Sequence, residues 1–523
     1  MIQTIWNKIG FKQLLTRKNA QFIFISWLLS VLCYLPMIAN GVTNSADGLW
    51  ITSYHQAGSW EISTGRWAWP ILDKLRMGYA ADPFNSFLAL LLITTAAWLT
   101  IQVFSDLTKK HYMYVLLITV STTTCCYLSY RFQSPSFGMA TLLPIIAVFL
   151  ISNKSFTGKE SWIVNSLIVL FLVLTLALYQ ANLGIFCVLV VFLFMKYILE
   201  DDLHYGFKFI TRAILISLVS CVLYKTLWEV CLKLRNIEAS DYNGADSSFI
   251  TILKNIPVGI KHAYVNLMSR RFLFDGSNYI YKPIRLLIYT FIFGLLIYIA
   301  TTKLKGNFKA KLWYFIALLL IPLAANICFI LTPSVQFISM QMTAPILFSG
   351  ITAICFIENY ALKLKKLITF SIALLLYGNI YCVGTDEDAM IQGHRSMEAV
   401  TAQVVSTLDK MDAISTDKKY VFIGSPCKNE LFRKNELWDK ASPYAQTGDI
   451  WPNLSCTVYT YNGLLDHIGI QLNMADSETY ERYMRSNEFK NMPCYPDKGS
   501  IVVHEDEVVV KISNRYFVES ENE

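Results

Sequence analysis

Charge is scarce in this sequence. Asp, Glu, Lys and Arg make up 16% of its 523 residues, against 54% hydrophobic. A soluble chain of this size ordinarily carries about a quarter charged residues, so the composition argues against a chain that is soluble throughout, and the length of its apolar runs excludes one. Other signatures are missing as well. There is no glycine-rich phosphate loop and no dinucleotide fingerprint, which argues against direct use of a nucleotide-sugar. The 7 histidines fall singly, without metal-ligand spacing; no zinc site is predicted and no cofactor is expected, although a divalent metal is left open. No inverted symmetry relates two halves of the chain, as a transporter built on repeats would show.

What the sequence has in abundance is long apolar runs, each long enough to span a bilayer as a helix. Eleven spans are expected, near residues 21–41, 84–104, 113–129, 137–151, 162–178, 183–199, 210–231, 285–302, 312–331, 338–358 and 367–383. The first run is too long for a cleaved signal and lacks a small-residue cleavage site, so it reads as a retained span. Basic residues set the orientation. Lys8, Lys12, Arg17 and Lys18 precede the first span, Lys303, Lys305, Lys309 and Lys311 follow the eighth, and Lys363, Lys365 and Lys366 follow the tenth. Short segments on the other side are nearly free of Lys and Arg, with Arg131 as the exception. The positive-inside bias therefore places the N-terminus in the cytoplasm and the C-terminal region outside.

Two domains follow: a membrane domain over 1–383 and an acidic outer domain over 384–523. The latter holds 14 basic and 23 acidic residues of the chain's 45 and 38, a net of −9, leaving 31 and 15, a net of +16, for the former. The overall +7 is thus a topology signal, and no nucleic-acid partner is implied. In the outer domain a helix is expected over 396–411, a buried strand over 419–423, a helix around 478–485 and alternating strands over 499–510. Its cysteines, Cys427, Cys456 and Cys494, would allow one disulfide outside the cell, with the pairing open.

The outward segments hold the chemistry. Two are long, residues 41–83 and 232–283, with amphipathic stretches at 67–75 and 249–268 suited to the membrane interface. The short ones carry Tyr130-Arg131-Phe132-Gln133, Tyr179-Gln180-Ala181-Asn182 and the stretch from Gln336 to Gln341. Such groups are costly in lipid and should face a protein-lined cavity. The first long segment is rich in acids and aromatics, with Asp47, Trp50, Trp60, Glu61 and the tripeptide Gly65-Arg66-Trp67. Polar residues crowd one side only, which favours a one-sided site over a transport pathway. A flippase or a surface-polysaccharide assembly protein remains the alternative.

Asp47 after the first span, Gly65-Arg66-Trp67, LSYRFQSPSFGMA at 128–140 and YQANLGIF at 179–186 together resemble the GtrII family of bacterial membrane glucosyltransferases. These enzymes decorate O-antigen in serotype conversion and are similar in architecture to GT-C glycosyltransferases. The resemblance covers roughly the first two hundred residues. Members typically show two consecutive acids in the first outer loop; here Ala46 precedes Asp47, leaving Asp47 as the candidate.

The apolar runs, the basic residues and the patterning of the tail predict a polytopic α-helical membrane protein with a C-terminal extracytoplasmic α/β domain, and the resemblance adds a GT-C-like architecture in the cytoplasmic membrane. It also implies transfer of a hexose from a polyprenyl-phosphate donor, glucose on undecaprenyl phosphate, to a surface polysaccharide. A small flippase and a polyprenyl-phosphate glycosyltransferase would be its functional partners. Asp47 would then be the general base, with Glu61 in reserve. Arg131 and Arg66, with Arg270 and Arg271 as reserves, would bind the donor phosphate. Trp50, Trp67 and Gln180 would contact sugar, Trp60 being a further aromatic suited to stacking.

Overall fold

A computed structural model describes residue 8 and residues 16–43, 55–79, 81–104, 111–156, 158–240, 242, 249–267, 281–331, 338–347, 362–424 and 454–514. The described chain is mostly helical. In order it forms α1 (Arg17–Cys33), α2 (Leu35–Asn40), α3 (Ser59–Ser63), α4 (Trp69–Leu75), α5 (Phe84–Phe104), α6 (His111–Thr119), α7 (Thr122–Ser129), α8 (Ser134–Ser152) and α9 (Gly158–Leu178). A single 3₁₀ turn, Gln180–Asn182, leads to α10 (Leu183–Leu199), α11 (Leu203–Arg235), α12 (Phe249–Leu267), α13 (Tyr281–Lys303), α14 (Phe308–Ala325), α15 (Cys328–Leu331) and a second 3₁₀ turn, Ile338–Gln341. Then come α16 (Leu362–Lys410), β1 (Lys419–Ile423), α17 (Leu454–His467), α18 (Ser477–Arg485), α19 (Asn487–Asn491), β2 (Ile501–Val503) and β3 (Glu507–Lys511).

Among the described residues, 8 helices are long and apolar enough to cross a membrane, or 9 if the pair α6 and α7, bent by 52°, is one span. This is the architecture of a polytopic membrane protein. Two of the eleven expected spans have no such counterpart. The first is divided at Tyr34: α1 ends there and Pro36 sits at the start of α2, where its missing N–H would otherwise have been unpaired. The tenth, 338–358, falls largely outside the described residues.

The bundle is closely packed. A Cβ on Gly138 of α8 would stand 3.1 Å from the Ala89 carbonyl oxygen of α5, so glycine is what lets these two helices touch backbone to backbone. The amphipathic stretch after α11 does form a helix, α12. One side of it lies on α15, where a Cβ on Gly259 would be 2.4 Å from the Phe329 carbonyl oxygen. Ile250, Leu253 and Val265 on the same helix are exposed.

The expected boundary at 383/384 meets no break, because α16 runs unbroken through it for 49 residues. At 1.5 Å per residue that is roughly 74 Å, against about 30 Å of hydrocarbon in a bilayer. The strand expected at 419–423 is β1. It pairs in parallel with β3, Val421 opposite Val509, and β3 pairs antiparallel with β2. Alternation gives the sheet two apolar faces. Tyr420, Phe422, Val508 and Val510 join the core that continues from the bundle, while Val421, Ile423 and Val509 pack with Tyr480, Met484 and Phe489. Cys427 and the side chain of Cys456 lie outside the described residues, so the disulfide expectation does too.

Candidate functional site

The polar segments singled out in the sequence meet at one end of the bundle, the end that bears the loop between α2 and α5. Within this loop two buried acids set the shape. Glu61, 4% exposed, sits in the first turn of α3, and its Oε2 accepts the Gly58 N–H at 2.6 Å. Its Oε1 lies 3.6 Å from Nε2 of His55. Burial pushes this carboxyl up, but the bonds from His55 and Gly58 outweigh it and hold Glu61 below the usual carboxylate range. Asp73 of α4 accepts the Ala57 N–H at 2.6 Å and pairs with Arg76 at 3.0 Å. Arg76 in turn donates to the His55 carbonyl at 2.9 Å.

This folded loop is bolted to the bundle through its own carbonyls. Trp228 Nε1 of α11 donates to Ile62 O at 2.6 Å, Gln180 Nε2 to Thr64 O at 2.9 Å, and the Tyr224 hydroxyl to Gly65 O at 3.1 Å. Gln180 Nε2 also reaches the Tyr224 hydroxyl at 2.9 Å. The glycine of Gly65-Arg66-Trp67 has its reason here. Its φ is +86°, and a Cβ would fall 2.3 Å from the Tyr224 hydroxyl and 2.6 Å from Gln180 Nε2. Only glycine combines a left-handed backbone with so close an approach.

Arg66 follows directly. Its guanidinium lies over the Trp69 ring at 5.0 Å and over the Tyr179 ring at 5.5 Å, an arrangement that stabilises a cation. Among the described residues its buried Nε has no hydrogen-bond partner, and neither has the indole N–H of Trp67. Among the described residues no carboxylate lies within ion-pair distance of Arg66. Arg131 contrasts with it, for its Nε is bonded to the carboxylate of Asp82. The Arg131 turn, between α7 and α8, is tied in by Thr43, whose hydroxyl donates to Ser129 O at 2.8 Å, and by Asn85, whose amide donates to Arg131 O at 3.3 Å. Phe132 of this turn lies under Arg76, 5.3 Å from its ring centroid.

An aromatic floor connects the two arginines. Tyr179, beneath Arg66, meets Phe137 at 4.9 Å; Phe137 stacks on Tyr127 at 4.4 Å and meets Tyr130 at 5.5 Å. Tyr130 is the residue before Arg131. At the far edge the Tyr179 hydroxyl bonds Ser339 Oγ at 2.9 Å, and among the described residues the amide of Gln341, 1% exposed, has no partner on either atom.

The structure thus brings together Glu61, Arg66, Trp67, Arg131 and Gln180. Trp60 stands apart, 54% exposed against Tyr242. Asp47, Trp50, Arg270, Arg271 and Gln336 lie outside the described residues. Sequence reasoning missed Asp82, the partner of Arg131, whose only sign was an acid just before the second span. It also missed the buried acids Asp386 and Glu387 of α16, 1% exposed each, marked in the sequence only by the acidic run 386–388. Among the described residues no group of three or more His, Cys, Asp or Glu is arranged to hold a metal.

The family model for glucosyl transferase GtrII matches residues 51–357, more than half of the chain. The match takes in Glu61, Arg66, Trp67, Arg131 and Gln180 and ends before α16; Asp47 and Trp50 precede it. No curated protein and no solved structure matches the chain.

Proposed function

The chain belongs to the glucosyl transferase GtrII family, and from that premise we propose that it transfers a hexose, glucose in the first instance, from a polyprenyl-phosphate donor to a hydroxyl of a surface polysaccharide such as O-antigen. The reaction would occur on the outer face of the cytoplasmic membrane, with the loop end of the bundle facing out, as the basic residues of the opposite loops favour. Glycosyl transfer itself follows from the family.

The observation that carries the donor assignment is Arg66: a cation cradled by two aromatic rings, with no carboxylate partner among the described residues. In the reaction the acceptor oxygen bonds to the anomeric carbon, the bond from that carbon to the phosphate oxygen breaks, and the acceptor proton passes to a base. The leaving phosphodiester becomes a phosphomonoester and gains charge. A preorganised guanidinium stabilises that charge better than water does, and Arg66 is available for it. Arg131 would join it by exchanging Asp82 for phosphate or by sharing it.

Asp47 is the base in this reading. Glu61 suits the task less, since its oxygens are engaged by Gly58 and His55. Gln180 holds the loop with one end of its amide, leaving its carbonyl oxygen for a sugar hydroxyl, and Trp67 and Trp50 would contact sugar. A polyprenyl-phosphate glycosyltransferase and a small flippase would make the donor and turn it outward. The test supplies purified protein and acceptor polysaccharide with polyprenyl-phosphate-glucose or with nucleotide-glucose. The lipid donor should be consumed and the nucleotide donor spared; use of the nucleotide donor alone would contradict the proposal.

A further inference from the structure

The third span is broken at two residues, Val120 and Ser121, between Thr119 and Thr122, and the halves are bent by 52°. A break inside a span frees backbone groups that lipid cannot satisfy. Here the carbonyls of Thr119, Val120 and Ser121 all lie within hydrogen-bonding distance of side-chain donors, and Ser121 O also accepts the Cys125 N–H. Tyr34, fully buried at the start of α2, places its hydroxyl 2.9 Å from Thr119 O and 3.0 Å from Ser121 O, and accepts the Ser121 N–H at 3.0 Å. Val120 O accepts from Asn379 Nδ2 of α16 at 3.0 Å. The other end of the Asn379 amide accepts from Arg285 Nη2 of α13 at 2.7 Å, and Arg285 is 3% exposed. Ser121 then caps α7, its hydroxyl accepting the Thr124 N–H.

What hangs on this break is the site. Above it, α7 leads in eight residues to the Arg131 turn. Tyr34, on the other side, leads through α2 to Thr43, which bonds Ser129 O and precedes Asp47. The direction of α7 is therefore set jointly by Tyr34 and by Asn379, and the latter is aimed by Arg285. A buried arginine and a polar amide within apolar helices are costly unless they act.

We propose that Asn379 and Arg285 are positioning residues for glucosyl transfer, fixing the broken third span so that the Arg131 turn is held in register with the loop that follows Thr43. The inference rests on the reading of the Arg131 turn as part of the site. It also assigns a role to α16, which lies beyond the family match: the helix that carries the C-terminal sheet also braces the transfer site.

The test measures glucose transfer from radiolabelled polyprenyl-phosphate-glucose by the full-length protein, with membrane abundance and melting temperature recorded for every variant. Asn379→Ala removes both bonds. Asn379→Asp keeps an acceptor for Arg285 and loses the donor to Val120, guarding against simple misfolding. Both should lower kcat by about 10- to 100-fold, the scale of a small misplacement at a reacting centre, at near-normal abundance. Arg285→Lys, which retains a donor, should keep more activity than Arg285→Met. Combined with Arg131→Lys, Asn379→Asp should give less than the product of the two single losses, because both act through one element.

Wild-type kcat in Asn379→Ala and Asn379→Asp, or losses that multiply with Arg131→Lys, would overturn the proposal while leaving the site intact. Full activity of Arg131→Ala would instead remove Arg131 from the site and overturn the reading on which the positioning role rests, whatever the Asn379 variants do.

Discussion

The loop between α2 and α5 and the C-terminal sheet unit both carry many charges, yet they use them in opposite ways. In the loop, Glu61 and Asp73 are buried and bound to backbone N–H groups, so charge dictates the path of the chain. In the sheet unit the pairs lie outside: Arg482 with Glu507, and Lys419 with Asp476, have exposed basic side chains, and the sheet is held by its two apolar faces. Exposed pairs contribute little to stability, whereas a buried carboxylate holding loop backbone cannot be removed without moving the loop. The loop's buried acids therefore answer to the site, whereas these two pairs of the sheet unit answer to solvent; the sheet unit's exception is Lys511, buried and donating to Lys490 O and Met492 O.

Substitutions that act on one region and spare the other would break or sharpen this contrast. The largest effect is expected from Asp47→Asn, which keeps the shape and loses the proposed base; transfer should fall by about 10²–10⁴-fold with protein abundance unchanged. Next comes Gly65→Ala. Its Cβ would collide with the Tyr224 hydroxyl on a left-handed backbone, and displacing Arg66 should cost at least about tenfold in turnover. Smaller again is Arg131→Lys, which keeps charge and loses the fork; a several-fold loss is expected, and full activity in Arg131→Ala would take it out of the site.

Glu61→Gln should be milder still, since the amide oxygen still accepts from Gly58. Because Glu61 is held below its ordinary value, its stabilisation of the loop is full above the unfolded carboxylate value of about 4.3 and is lost as pH falls through the lower folded value. Thermal unfolding between pH 5 and pH 8 should therefore show no step from this group, and a step there would contradict the assignment. Smallest of all is Arg482→Ala in the sheet unit, expected to change stability by less than about 1 kcal/mol and transfer not at all.

The sequence reveals elements better than it reveals joints. The β1 strand and α18 are legible from local pattern, because burial with a period of 2 or 3.6 leaves its mark within a few residues. The joints depend on residues far apart in the chain. Gly65 is a glycine because of Tyr224, 159 positions away, and Arg131 is paired because Asp82 precedes the second span. The continuity of α16 was hidden by composition. Hydropathy drops at Gly384 and the acids 386–388, but helix geometry does not require apolar residues, and nothing there stops it. The break at Ser121 had a faint sign in the run Ser121 to Thr124, since Ser and Thr favour helix starts. Its bracing by Asn379 had none.

The central claim, that Arg66 serves a lipid-linked phosphate donor, is tested most directly by varying the donor concentration. Glucose transfer from polyprenyl-phosphate-glucose is measured for wild type, Arg66→Ala, Arg66→Lys and Arg482→Ala at equal abundance. The account predicts that Arg66→Ala loses most of its kcat/KM for the donor, that Arg66→Lys recovers part of it, and that Arg482→Ala matches wild type. Equal donor kinetics in Arg66→Ala and wild type would contradict it.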